Sequence, residues 1–149
     1  MKNQLIFFLM LLIMFNNGFQ NANGDDRPQS IRVLWTVNKY VILDKSKVSE
    51  TEAQAFIFKP LDISEDSITF DGNTCSNVTF IEHDVNAKDY FSSNFHVVPQ
   101  DIGIDDSPLK LVRTSCELPG FSEYFRLHNR KIVVFRNGVF LFFSPRVNY

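Results

Sequence analysis

The sequence predicts a mainly β domain, a small antiparallel barrel or strongly curved sheet of seven to eight strands carrying two short helices. Three observations predict it. From Leu109 onward, runs rich in Val, Ile, Phe and Tyr (LKLVRTSC, EYFRLH, KIVVF, VFLFF) follow one another with only turn residues between them, the spacing of an antiparallel meander. Asn137-Gly138 separates the last two runs, and Asn-Gly is the strongest short-range hairpin signal because both central residues of a type I′ turn need positive φ. Helix-start signals stand at two places, Ser49 with Glu52 and Asn86.

In chain order, MKNQLIFFLMLLIMFNNGFQNANG has a cation at Lys2, an apolar run from Leu5 to Phe15 and small residues at Ala22 and Gly24. This is the layout of a secretory signal peptide, with cleavage expected after Gly24. As a helix the apolar run rises only about 16 Å, roughly half a bilayer's hydrocarbon thickness, so no membrane span is expected in the mature chain. The expected division is a signal peptide over 1–24 and one β-rich domain over 25–149, secreted or periplasmic.

The run Ile31 to Val37 is strand-like, with Val33, Trp35 and Val37 on one face, and Val41 to Asp44 continues it or begins the next strand. Ser49 and Glu52 form a capping box for a short helix over about Glu50 to Phe58, stopped by Pro60. LDI and SITF read as strands about the turn SEDS, with Ile68 and Phe70 on one face; Asn77 to Val85 reads as another. Asn86 caps a second helix, AKDYFSSNF, whose Tyr90, Phe91 and Phe95 fall on adjacent turns. Val97 to Pro108 reads as a loop. In VFLFF both alternating faces are apolar, so that strand must be covered on both sides, by the protein's own helices or by a lumen or partner.

Charge and motifs exclude more than they assign. The net charge of −2 becomes −3 when Lys2 is removed, with acids and bases scattered, so there is no basic stripe for nucleic acid. Cys75 and Cys116 are an even pair in an exported chain, which favours a disulfide over a thiol nucleophile or a zinc site. His83, His96 and His128 form no recognisable catalytic set. In Glu82-His83-Asp84 the two acids share one face of a strand and the histidine takes the other. Asp101, Asp105 and Asp106 crowd a loop with Gly103 but depart from calcium-loop spacing. No metal, cofactor or catalytic residue is expected. Asn77-Val78-Thr79 has the form of a glycosylation acceptor, relevant in a eukaryotic host.

The meander, the FDGNTC turn and the closing hairpin together resemble small exported calycin-type barrels, a group that includes lipocalins and bacterial lysozyme inhibitors. The lipocalin G-x-W is absent, since Val33 and Leu34 precede Trp35. The resemblance implies a non-enzymatic binding protein: an inhibitor or immunity protein for a secreted hydrolase such as lysozyme, or a carrier of a small apolar ligand. For the inhibitor, the expected partner-binding loops are the acidic one (Asp101, Asp105, Asp106) and the LPGFSE turn (Leu118, Phe121, Glu123), steering towards a basic enzyme. For the carrier, the twelve phenylalanines after Gly24 supply the motive.

Overall fold

A computed structural model describes residues 33–105 and 108–146. The expected signal peptide and its cleavage point lie outside the described residues, as does Asp106.

Among the described residues the chain forms one nine-stranded, strongly curled antiparallel sheet, a half-barrel, with two α-helices: β1 (Leu34–Ile42), α1 (Glu50–Gln54), β2 (Pro60–Ile63), β3 (Ser67–Phe70), β4 (Asn73–Ser76), β5 (Phe80–Val85), α2 (Ala87–Phe95), β6 (Leu109–Thr114), β7 (Glu123–Arg126), β8 (Ile132–Arg136) and β9 (Val139–Pro145). The expectation of seven to eight strands is corrected to nine. Asn73–Ser76 forms its own strand against β3, because Asp71 and Gly72 both adopt positive φ and reverse the chain before the cysteine. The loop expected over Val97 to Pro108 contains a 3-10 helix, Pro99–Ile102.

Strand order is β4-β3-β2-β1-β9-β8-β7-β6-β5. The two edge strands are therefore consecutive in sequence, joined by residues 77–79 alone. Eight antiparallel ladders separate them, an even number of reversals, so β4 and β5 run in the same direction. A flat sheet would hold its edges roughly 38 Å apart at the usual strand spacing, whereas the linking residues reach about 14 Å at most. Curling is therefore obligatory.

The disulfide lies where the edges approach. Cys75 on β4 bonds Cys116, just beyond β6, with Cα atoms 5.6 Å apart. Beside it the Ser115 amide donates to the Thr79 carbonyl (3.2 Å) and the Thr79 amide to Ser115 Oγ (3.0 Å). Val78, buried, closes the seam between them.

Curling gives the sheet a concave and a convex face, each with its own core. Val37, Leu61, Ile68, Phe70, Val112, Tyr124, Val134, Leu141 and Phe143 meet on the concave side. On the convex side, Phe91 of α2 packs against Phe125 and Phe140 at ring separations of 4.9 and 5.7 Å, and Ile102 and Ile104 complete the cover. The doubly apolar β9 is thus covered on both sides, with Val139, Leu141 and Phe143 inward, Phe140 under α2 and Phe142 in the same convex core beneath Lys39.

Local signals account for most element ends. Ser49 and Glu52 form the expected capping box on α1, and Asn86 accepts from the Asp89 amide at 3.1 Å on α2. Helix α1 ends at Gln54 rather than continuing to Phe58; the chain tightens, Phe58 takes φ 66°, and its amide turns to the Val37 carbonyl at 2.8 Å. In β1 a register shift between Val37 and Lys39 changes the phase of alternation. Trp35 and Val37 face inward before it, Tyr40 and Ile42 after it, leaving Lys39 outward over the Phe142 ring.

The β8–β9 hairpin turns at Asn137 (φ 45°) and Gly138 (φ 85°), as the type I′ signal requires. A Cβ at Gly138 would also come within 3.1 Å of Asp44. Gly138→Val is expected to cost more than about 1 kcal/mol in unfolding free energy by urea titration, since a β-branched residue is strained at positive φ.

Candidate functional site

Ladder registers define two ends of the half-barrel. One holds the β8–β9 hairpin, α1 and the β3–β4 turn; the other holds the start of β1, the β7–β8 turn and the end of β5. Val48 and Ala53, buried in the concave core, plug the first end. At mid-height Phe70 lies 5.4 Å from both Phe121 and Phe143, filling the interior. The second end stays open as a cleft of 520 Å³ lined by Val33, Trp35, Glu82, Lys110, Arg126, Leu127, His128, Arg130 and Ile132.

Alternation explains the charges at this mouth. Inward positions continue in register from core to rim, Val112 to Lys110 on β6 and Tyr124 to Arg126 on β7. The core positions are apolar; one step closer to solvent the same face carries cations. They meet the acids of β5, Arg126 pairing with Glu82 and Lys110 Nζ lying 2.9 Å from Asp84. These pairs are half exposed and stabilise little, so a ligand can displace them at small cost. Across the mouth the Trp35 indole N–H donates to the Arg130 carbonyl at 2.9 Å, tying β1 to the β7–β8 turn.

Tyr124 stands one position deeper on β7. Burial pushes its hydroxyl up to about 12, opposed by Arg126 and reinforced by Glu82. Tyr90 on the convex side also rises to about 12, through burial and then its hydrogen bond to Glu123. Both folded-state values exceed the ordinary 10.0, so the folded chain holds protons that the unfolded chain releases between pH 10 and 12. Their stabilisation is full below pH 10 and falls as pH rises through that window. Chemical unfolding midpoints recorded from pH 9 to pH 12 should decline there, and Tyr124→Phe should flatten part of the decline.

The residues expected to form partner loops divide. Asp101 and Asp105 are exposed, on a segment held by buried Ile102 and Ile104 and by Lys39 Nζ donating to the Ile102 carbonyl at 2.9 Å. The LPGFSE turn folds inward. Phe121 is fully buried and Leu118 packs against the same core, while Glu123 is engaged by Arg113 Nε (2.9 Å) and the Tyr90 hydroxyl. Phe121 is thus a core residue and not a contact residue, because Gly120 (φ 88°) and the Thr114 hydroxyl, which donates to the Phe121 carbonyl at 2.6 Å, direct its ring between Phe70 and Phe143.

Among the described residues, no group of three or more His, Cys, Asp or Glu gathers as a metal site. No helix among them is long and apolar enough to cross a membrane. Glu82 and Asp84 share the inward face as expected, and His83 faces away. His96 ends α2 in the left-handed region (φ 57°), and His128 lines the mouth. Asn77 is exposed with φ 56°, beside buried Val78. The sequence reading missed Trp35, Lys110, Arg126 and Arg130 as a group. Its one available signal was a cation following an apolar residue at the end of consecutive strands. No family model, curated protein or solved structure matches the chain.

Proposed function

We propose that this is an exported, non-enzymatic binding protein of small calycin-type barrel character, and that its ligand occupies the open mouth. One observation carries the reading: a half-barrel plugged at one end and filled at mid-height leaves a 520 Å³ cleft at the other. Mouths of small barrels are common ligand sites. The apolar walls of Val33, Trp35, Leu127 and Ile132 beneath charged Glu82, Lys110 and Arg126 suit a small molecule with an apolar body and a polar head. The filled interior argues against a purely apolar cargo held in a lumen.

Trp35 is the chain's only tryptophan and lines the cleft, so its emission reports occupancy directly. A ligand recovered by native mass spectrometry from the producing cell is expected to change that emission when added back. Lys110→Glu should weaken it at least about tenfold if the polar head is anionic and strengthen it if cationic. An emission unmoved by every recovered ligand would remove the mouth as the site.

Exposed Asp101 and Asp105 favour a second reading, inhibition of a basic secreted hydrolase such as lysozyme. On that reading the protein lowers lytic activity, and Asp101→Asn with Asp105→Asn restores it.

A further inference from the structure

We infer that the plugged end of the half-barrel carries a separate protein-docking surface, centred on Phe58 and Arg136, for an acidic segment of a partner. Phe58 is 80% exposed, the most exposed large apolar side chain among the described residues. Its backbone is held at φ 66°, a region that bulky residues rarely adopt, by the hydrogen bond its amide donates to the Val37 carbonyl. The fold therefore presents an aromatic ring to solvent at a position where glycine would be easier. Exposed aromatic and arginine side chains are the residue types that dominate protein-binding energy.

Phe56 and Lys59, on either side of Phe58 in the chain, line a cleft of 320 Å³ together with Arg136. The Arg136 guanidinium sits over the Phe56 ring, 5.2 Å from its centroid, and 6.0 Å from that of Phe70. Other charges here are spent locally. Lys59 pairs with Asp71, Lys47 lies 3.8 Å from Asp44, and Glu52 accepts from the Ser49 amide and hydroxyl. Among the described residues Arg136 has no carboxylate partner, so its planar fork remains available to one, supported by the rings beneath. Phe58 is not among the residues lining the cleft. A small molecule in the cleft would leave it bare, whereas a chain laying one Asp or Glu carboxylate on Arg136 and an apolar neighbour on Phe58 covers both. The inference does not depend on the mouth.

The test uses the isotope-labelled full domain, a short synthetic peptide of alternating leucine and glutamate, and a control with glutamine for glutamate. Amide shifts over 55–59 and 136–137 are expected with the acidic peptide, with the control at least about tenfold weaker. Phe58→Ala and Arg136→Gln should each weaken binding about tenfold or more, and Phe58→Ala should unfold at the wild-type denaturant midpoint or above. Equal binding of both peptides, wild-type binding by Phe58→Ala, or no shifts at these positions would overturn the surface. Shifts confined to 126–132 would also overturn it while leaving the mouth reading intact.

Discussion

Replacing both cysteines with alanine is expected to lower the unfolding free energy by about 4 kcal/mol. Cys75 and Cys116 are 41 residues apart in sequence, and closing a loop of that length costs the unfolded chain about that much entropy in the chain-entropy account. The loss is a large share of a typical domain's total. Its location should be equally diagnostic. The bond ties edge strand β4 to the residues just beyond β6, beside the short link 77–79, where Thr79 also bonds Ser115 and Val78 is buried. Hydrogen exchange in the double variant should therefore speed up first in β4 and β5, while β1, β8 and β9 keep their protection. Equilibrium unfolding with and without reductant measures the first quantity. Uniform loss of protection would mean that the sheet closes without help from the bond.

Phe70→Ala is expected to cost about 3–5 kcal/mol, the range for emptying a buried aromatic site. Its ring lies 5.4 Å from Phe121 and Phe143 and 6.1 Å from Phe56, joining β3 across the interior to β9 and to the segment before β7. These neighbours belong to separate segments, Phe56 after α1, Phe121 before β7 and Phe143 on β9, and cannot collapse into the space. The measurement is urea unfolding, with Phe58→Ala as the internal control, since the same chemical change at an exposed ring removes no core packing. A Phe70→Ala cost below about 1.5 kcal/mol would mean that the interior is loosely filled and has room for an apolar cargo.

Local chemistry was legible in advance. Ser49 with Glu52 and Asn86 began both helices where expected, and Asn137-Gly138 made its turn, because each signal acts over a few residues. The two faces of β9 were also readable, since strand periodicity assigns alternate residues to opposite sides wherever the sheet lies. The burial of Phe121, a candidate partner-binding residue of the LPGFSE turn, was not legible in the same way. Nothing within the LPGFSE segment reports that Phe70 and Phe143, from distant parts of the chain, leave a place for its ring. The exposure of Phe58 was also hidden: it ends the expected helix Glu50 to Phe58, but the helix stops at Gln54 and the Val37 carbonyl takes the Phe58 amide instead.

What the sequence by itself determined was therefore the two helix starts, the β8–β9 hairpin, the two faces of strands such as β3 and β9, and the presence of a staple. Only the tertiary structure decided how many strands there are, that β1 pairs with β9, that the edges approach near the disulfide, and which end is plugged and which open. The reason is one of range. Turn chemistry and alternation are set by residues a few positions apart. Closure depends on ladders between strands as distant as Trp35 and Pro145, and the charged mouth exists because that closure brings β1, β5, β6 and β7 to one rim.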